Sequence, residues 1–151
     1  MAVAVSHLVA MPLAAWERDG LAAALQGAGL PIDDLSEPGR LFWRFETAET
    51  EPVGFGGLEI LREDALLRSI VTLPPLRNRG IGAAIVASLE EEAQRHRCDA
   101  LWLLTTSAKR FFDRLGFATC DRAVVPDAVR ETRQFATLCP DSAVVMMKRL
   151  A

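Results

Sequence analysis

From Arg40 to Thr47 the chain alternates: Leu41, Trp43 and Phe45 share one side of an extended segment, and Phe42, Arg44 and Glu46 share the other. A period of two is the signature of a strand with one face in the core. The polar turn Thr47-Ala-Glu-Thr-Glu-Pro52 ends it, and Val53 to Leu61 reads as the next strand, with Gly54, Gly56 and Gly57 inside it. Glycines within a strand mark a bulge or a close backbone approach. Arg62-Glu-Asp-Ala is a tight connection to a third strand, in which Leu66, Leu67, Ile70, Val71 and Leu73 precede Pro74 and Pro75. Two missing N–H groups must end that strand, so the three segments form an antiparallel meander. Ile81, Ile85, Leu89 and Ala93 then recur at spacings of four, which predicts an amphipathic helix from about Gly80 to Arg97.

The flanks follow the same logic. Residues 3 to 11 read as a first strand, and a helix follows between Pro12 and Ala28, started either by Pro12 or by Asp19 as N-cap and ended by Gly27 and Gly29. Pro31 to Ser36 is a candidate short helix. Cys98 to Leu104 is a nearly continuous apolar run suited to a buried strand, and Thr105-Thr-Ser107 supplies an N-cap for a helix over Ala108 to Leu115, closed by Gly116. Phe117 to Val125 reads as a sixth strand, Pro126 to Thr137 as a helix and Ser142 to Arg149 as the last strand. The expected fold class is α/β: a mixed, mostly antiparallel sheet of about seven strands with about four helices.

The junction between the central strand and its helix carries the candidate chemistry. The first turn of a helix has unpaired N–H groups and a partial positive charge, so it attracts an anion. Gly80 and Gly82 let a ligand approach the backbone, and Arg77 and Arg79 add charge. A dinucleotide turn would need a third glycine where Ile85 stands, and a Walker loop would need Gly-Lys-Ser/Thr, which the chain lacks.

Composition narrows the partners. At 151 residues, half hydrophobic and a quarter charged, the expectation is one domain spanning 1–151. A net charge of −3 argues against nucleic acid, so the arginines act locally. The apolar start lacks a positive n-region and runs into Pro12 and Trp16, which disfavours a signal peptide, and no apolar stretch reaches membrane-spanning length. Cys98, Cys120 and Cys139 lack the paired spacings of a metal site or a disulfide framework, consistent with a reducing cytoplasm and no metal.

Arg77-Asn78-Arg79-Gly80-Ile81-Gly82 resembles the Arg/Gln-x-x-Gly-x-Gly/Ala signature of the GNAT superfamily of acetyl-CoA-dependent N-acetyltransferases, and Ala108-Lys-Arg-Phe111-Phe112-Asp-Arg-Leu115-Gly116-Phe117 resembles its Ala-x-x-Phe-Tyr-x-x-Leu-Gly-Phe helix end. The resemblance implies a GNAT fold whose two central strands splay apart, with acetyl-CoA between them. Ile70, Val71, Thr72 and Leu73 would pair with the pantetheine arm, and Arg77 to Ala83 would hold the pyrophosphate. Thr105, Ser107, Phe111 and Phe112 would complete the cosubstrate site.

Chemistry beyond binding needs a neutral amine, an oxyanion donor and a route to protonate the thiolate. Glu59, on the strand beside the central one, is the expected base, taking the amine proton directly or through water. Arg68 and Ser69 face opposite sides of the central strand, so one of them points to the site. Ser69 joins Glu59 and Cys139 among the catalytic candidates. Arg68 suits a carboxylate, phosphonate or arsonate on the acceptor, with Arg130, Thr132 and Ser142 lining the same end. Phe112 stands where many GNAT enzymes have Tyr, and the chain has no Tyr at all. Proton delivery would then fall to water, Thr105, Ser107 or Cys139, unless the protein is a non-catalytic acyl-CoA sensor.

Leu103 to Phe117, Val125-Pro126, Arg130-Glu-Thr132 and Gln134 to Ala143 further resemble the small GNAT proteins associated with arsenic-resistance operons. That implies a small amine acceptor such as an amino-bearing organoarsenical, with Cys139 able to meet trivalent arsenic as a soft thiolate. A homodimer is compatible with this reading.

Overall fold

Seven strands form one sheet in the order β1-β2-β3-β4-β5-β7-β6. The computed structural model describes residues 8–74, 80–138 and 142–150. β1 (Val9–Pro12), β2 (Arg40–Glu46), β3 (Pro52–Leu61) and β4 (Asp64–Thr72) pair antiparallel in succession. β5 (Ala100–Thr105) lies parallel to β4, and β7 (Val144–Arg149) pairs antiparallel with both β5 and β6 (Ala118–Cys120). The expected mixed, mostly antiparallel sheet is therefore observed.

Parallel strands need a crossover, and α2 (Ile81–Arg95) supplies it. Its stripe of Ile81, Ile85, Leu89 and Ala93 is buried against Phe45, Val53, Leu58, Leu67, Leu101 and Met146. α1 (Asp19–Gly27) covers the other face, where Leu21 and Leu25 meet Phe42, Phe55 and Val71. The glycines of β3 permit this two-sided packing. A Cβ on Gly56 would lie 2.7 Å from Leu89 Cδ1, and one on Gly57 2.6 Å from the Phe42 ring. Gly56→Val is accordingly expected to lower stability by about 1–3 kcal/mol through overpacking, read as a lower urea midpoint; an unchanged midpoint would show that α2 can move off the sheet at no cost.

Several local expectations are corrected. α1 begins at Asp19 with Arg18 in the capping position, so neither proposed starter caps it. Residues 31–36 form turns, not a helix, because Asp34 is drawn inward by two arginines and is fully buried. The sixth strand stops at Cys120, where the Asp121 side chain accepts from Ala123 N and turns the chain into a 3₁₀ segment. The long helix after Pro126 is instead α4 (Asp127–Arg130) followed by a π-helical turn over Gln134–Leu138. Thr132 explains the break: its hydroxyl donates to Val129 O at 2.7 Å and accepts from Phe135 N at 3.3 Å, offering the backbone an alternative to the α-helical ladder. Within the expected capping stretch, Thr105 supplies the hydroxyl that accepts from Ala108 N ahead of α3 (Lys109–Arg114).

Candidate active site

β4 and β5 pair only through Asp64–Ala100, Ala65–Leu101 and Leu66–Trp102. Beyond these rungs they separate, because β4 is deformed. Its register against β3 passes from Gly57–Arg68 to Phe55–Val71, so Ser69 and Ile70 together oppose Gly56 alone. Ser69 holds φ at +58°, the left-handed region that a β-carbon disfavours, and Gly56 opposite it has no side chain to fill the bulge. A bulge bends its strand and strengthens the twist. The edge of β4 from Leu67 to Thr72 is thereby left without a strand partner on the β5 side.

The gap is a cleft of about 1060 Å³, just above the ~300–1,000 Å³ usual for small-molecule sites. Its walls are β4 from Leu67 to Thr72, β5 and its following turn from Leu103 to Ala108, Phe111 and Phe112 of α3, and the start of α2. Gly27 to Pro31, Gln134 and Ala143 close one end. At the other, Gly80 caps α2 with φ +76°, no side chain caps the helix, and no acidic residue occupies its first turn. Unsatisfied N–H groups there suit a phosphate. A Cβ on Gly82 would sit 3.2 Å from Phe111, so the glycine keeps this mouth open.

Behind the cleft lies a charged cluster. Arg68, whose side chain is fully buried, holds Asp34 through both guanidinium Nη atoms at 2.5 Å and Glu59 Oε1 at 2.8 Å. Its Nε donates to Ser69 Oγ at 3.2 Å. Arg40 Nε reaches the same two carboxylates at 3.2 Å each. Burial alone pushes the Asp34 carboxyl up, but hydrogen bonds and charge from Arg68 and Arg40 outweigh it and hold it below its ordinary value. Burial likewise opposes the Arg68 charge, and Asp34 and Glu59 together reverse that and raise it.

The sequence candidates thus separate. Ser69, Ile70, Val71, Thr72, Gly80, Gly82, Ala83, Thr105, Ser107, Phe111 and Phe112 all line the cleft. Ile81 is turned into the core and Leu73 packs with the α1 cluster. Glu59 sits behind Arg68, away from the cleft wall, and Arg68 grips protein carboxylates with the groups that were expected to grip an acceptor. Arg130 ion-pairs with Asp127 on α4, Thr132 is buried in its own turn, and Ser142 is exposed; none lines the cleft. Arg77, Asn78, Arg79 and Cys139 lie outside the described residues. The family resemblance implied that residues 31–36 lie over the acceptor side, but sequence reasoning singled out neither Asp34 nor the adjoining loop at Gly27–Pro31. The one signal for Asp34 was an acidic residue in a stretch that buries Leu35, and that is too common to single out.

The sequence matches the model of the acetyltransferase (GNAT) family over residues 6–117. The chain belongs to that family. Membership gives the chain the N-acetyltransferase class, with acetyl-CoA as cosubstrate. No curated protein matches the sequence significantly. Among solved structures, the fold is similar to N-acetylglutamate synthase from Neisseria gonorrhoeae in complex with coenzyme A and N-acetylglutamate, at TM-score 0.76 and 16% identity over 97% of this chain; the chain spans 36% of that protein's length. It is also similar to Rv2747 from Mycobacterium tuberculosis in complex with CoA (TM-score 0.73, 20% identity, 95% of this chain and 99% of that one). An aminoglycoside 6'-N-acetyltransferase complexed with coenzyme A superimposes at TM-score 0.65, with 18% identity over 90% of this chain and 92% of that one.

Proposed function

We propose that this acetyltransferase acetylates a small primary amine that enters the cleft at the Gly27–Pro31 end while acetyl-CoA lies along β4. The observation that carries this reading is the continuity of one cleft from the α2 N-terminus, past the free edge of β4, to that loop. Ile70 to Thr72 offer backbone groups to the pantetheine amides as a strand would, and Gly80 to Ala83 offer N–H groups to the pyrophosphate.

Among the described lining residues there is no Asp or Glu. In this reading the amine attacks in its neutral form and passes its proton to water, and Glu59 acts as a counter-ion to Arg68 and Arg40 and not as the base. As the C–N bond forms, the C–S bond breaks and its electron pair leaves on sulfur. Phe112 is buried edge-on to Phe111 and Phe117, at centroid distances of 5.0 and 5.5 Å, and provides no proton. A thiol of pKa about 8.5 leaves unprotonated at modest cost. The rate is expected to rise with pH as the acceptor deprotonates, without a falling alkaline limb. Phe112→Tyr should change turnover by less than about tenfold, or roughly 1.4 kcal/mol of barrier.

For the acceptor, the resemblance of its motifs to those of arsenic-resistance GNAT proteins supports a small amine such as an amino-organoarsenical, and no acidic side chain among the described lining residues repels an anionic one. The test is thiol release from acetyl-CoA over a panel of amino acids, phosphinothricin-like amines, aminoglycosides and amino-organoarsenicals. Turnover confined to anionic small amines supports the reading. Tight acetyl-CoA binding with no turnover across the panel would replace it with the acyl-CoA sensor.

A further inference from the structure

The bulge on β4 places a serine, held in a conformation costly to any residue with a β-carbon, at the cleft wall. Such an outlier persists only where its surroundings fix it, and here the fixing group can be named. Ser69 Oγ accepts from Arg68 Nε, and Arg68 is clamped to Asp34 through both Nη atoms and to Glu59 through one. A hydroxyl has one proton to donate, and an oxygen already accepting from a guanidinium keeps that proton free for another partner. Accepting a charged hydrogen bond also polarises the O–H, making it a stronger donor. Among the described cleft hydroxyls, Thr105 is engaged by Ala108 N, and Ser69 alone accepts from a guanidinium in the observed hydrogen bonds.

We infer that the Ser69 hydroxyl donates a hydrogen bond to the carbonyl oxygen of the acetyl group, and that Asp34 and Arg68 are positioning residues that aim it. No proton is transferred in this contact. The hydroxyl stabilises negative charge on the carbonyl oxygen while the C–N bond forms and the C–S pair leaves on sulfur, and the amine proton goes to water. A second consequence concerns the loop between α1 and β2. Asp34 sits on it, so the segment beside the acceptor end of the cleft and the donor at the cleft wall are held by one clamp. The inference rests on the acetyl-CoA reading of the cleft and adds to it a side-chain contact to the acyl group.

Ser69→Gly separates function from fold. Glycine relieves the φ of +58° and removes the hydroxyl, so the melting midpoint should hold or rise while the contact is lost. Titration calorimetry should show acetyl-CoA binding weakened about three- to tenfold in Ser69→Gly, with binding of free CoA unchanged, because only the acetylated form carries the carbonyl. Turnover should fall about a hundredfold, the usual effect of removing one oxyanion donor. Arg68→Lys keeps the charge but loses the Nε donor, and should shift acetyl-CoA binding and turnover in the same direction. Combining it with Ser69→Gly should add less than twofold to the loss, the mark of two residues acting through one contact. Asp34→Asn should repeat this pattern, and Arg68→Lys serves where Asp34→Asn fails to fold. Equal effects of Ser69→Gly on CoA and acetyl-CoA, or no effect on either, would overturn the contact, and full multiplicative losses in the double variant would overturn the positioning role. If the wild-type protein binds neither form, the cofactor reading itself falls.

Discussion

Asp34→Ala should lower the unfolding free energy by about 3–5 kcal/mol, because it leaves a buried arginine without its main counter-charge. Arg68 and Asp34 are both solvent-free at their charged ends, and the remaining carboxylate, Glu59, is shared with Arg40. The magnitude comes from the group left behind. Replacing both partners with apolar residues of similar size, as in Asp34→Leu with Arg68→Met, should recover much of the loss, since neither charge then has to be desolvated. Urea unfolding of the two variants against wild type checks this. A single-variant loss under about 1 kcal/mol would mean that water reaches the cluster.

The same cluster predicts an acid limb. The folded Asp34 carboxyl is held below its ordinary value of 3.8. The folded state thus binds this proton more weakly than the unfolded chain does, and the group contributes stability that is fully present above pH 3.8 and is lost as pH falls through its lower folded value. Asp34→Asn should flatten that part of the stability profile. A profile with the same slope in both proteins would assign the acid limb to other carboxylates.

Gly82→Trp should weaken acetyl-CoA binding by a hundredfold or more, about 2.7 kcal/mol, while leaving the helix intact. Gly82 lies in the first turn of α2 where the chain faces the cleft, and a Cβ alone would press Phe111 at 3.2 Å. An indole there has nowhere to go but into the space between β4 and α3. Gly82→Ala is the control: the methyl needs only a small ring displacement and gains helix propensity, so it should bind within about fivefold of wild type, well under 1.4 kcal/mol. Calorimetry gives affinity and circular dichroism confirms the helix. Unchanged affinity in the Trp variant would mean that the cosubstrate does not pass the α2 N-terminus.

The strands and the crossover helix were legible because their causes are local. Alternation at Leu41, Trp43 and Phe45, the paired prolines after β4 and the four-residue spacing of Ile81, Ile85, Leu89 and Ala93 each reflect a backbone periodicity that neighbouring residues alone impose. The cleft wall from Ile70 to Thr72 and the glycines at the α2 start followed from the same stretch. Less was legible after Gly116, where the expected helix from Pro126 to Thr137 is instead short pieces that bury Val125, Val129 and Phe135 against Leu66, Trp102 and Val145. There a single hydroxyl, Thr132, competes with the helix ladder, and propensity does not register it.

What the sequence by itself determined is the sheet, its crossover and the β4 segment that lines the cleft. Only the tertiary structure decided the role of the charges. Arg68 was legible as a cation on the central strand, but whether its guanidinium met a ligand or the protein depended on Asp34, 34 residues away, and on Glu59 in the adjacent strand. Burial made the difference: a guanidinium excluded from water must be paired, and its main partner, Asp34, came from a turn that carries no periodic signal. The bulge at Ser69 likewise depended on pairing, because the extra residue exists only relative to Gly56 across the ladder.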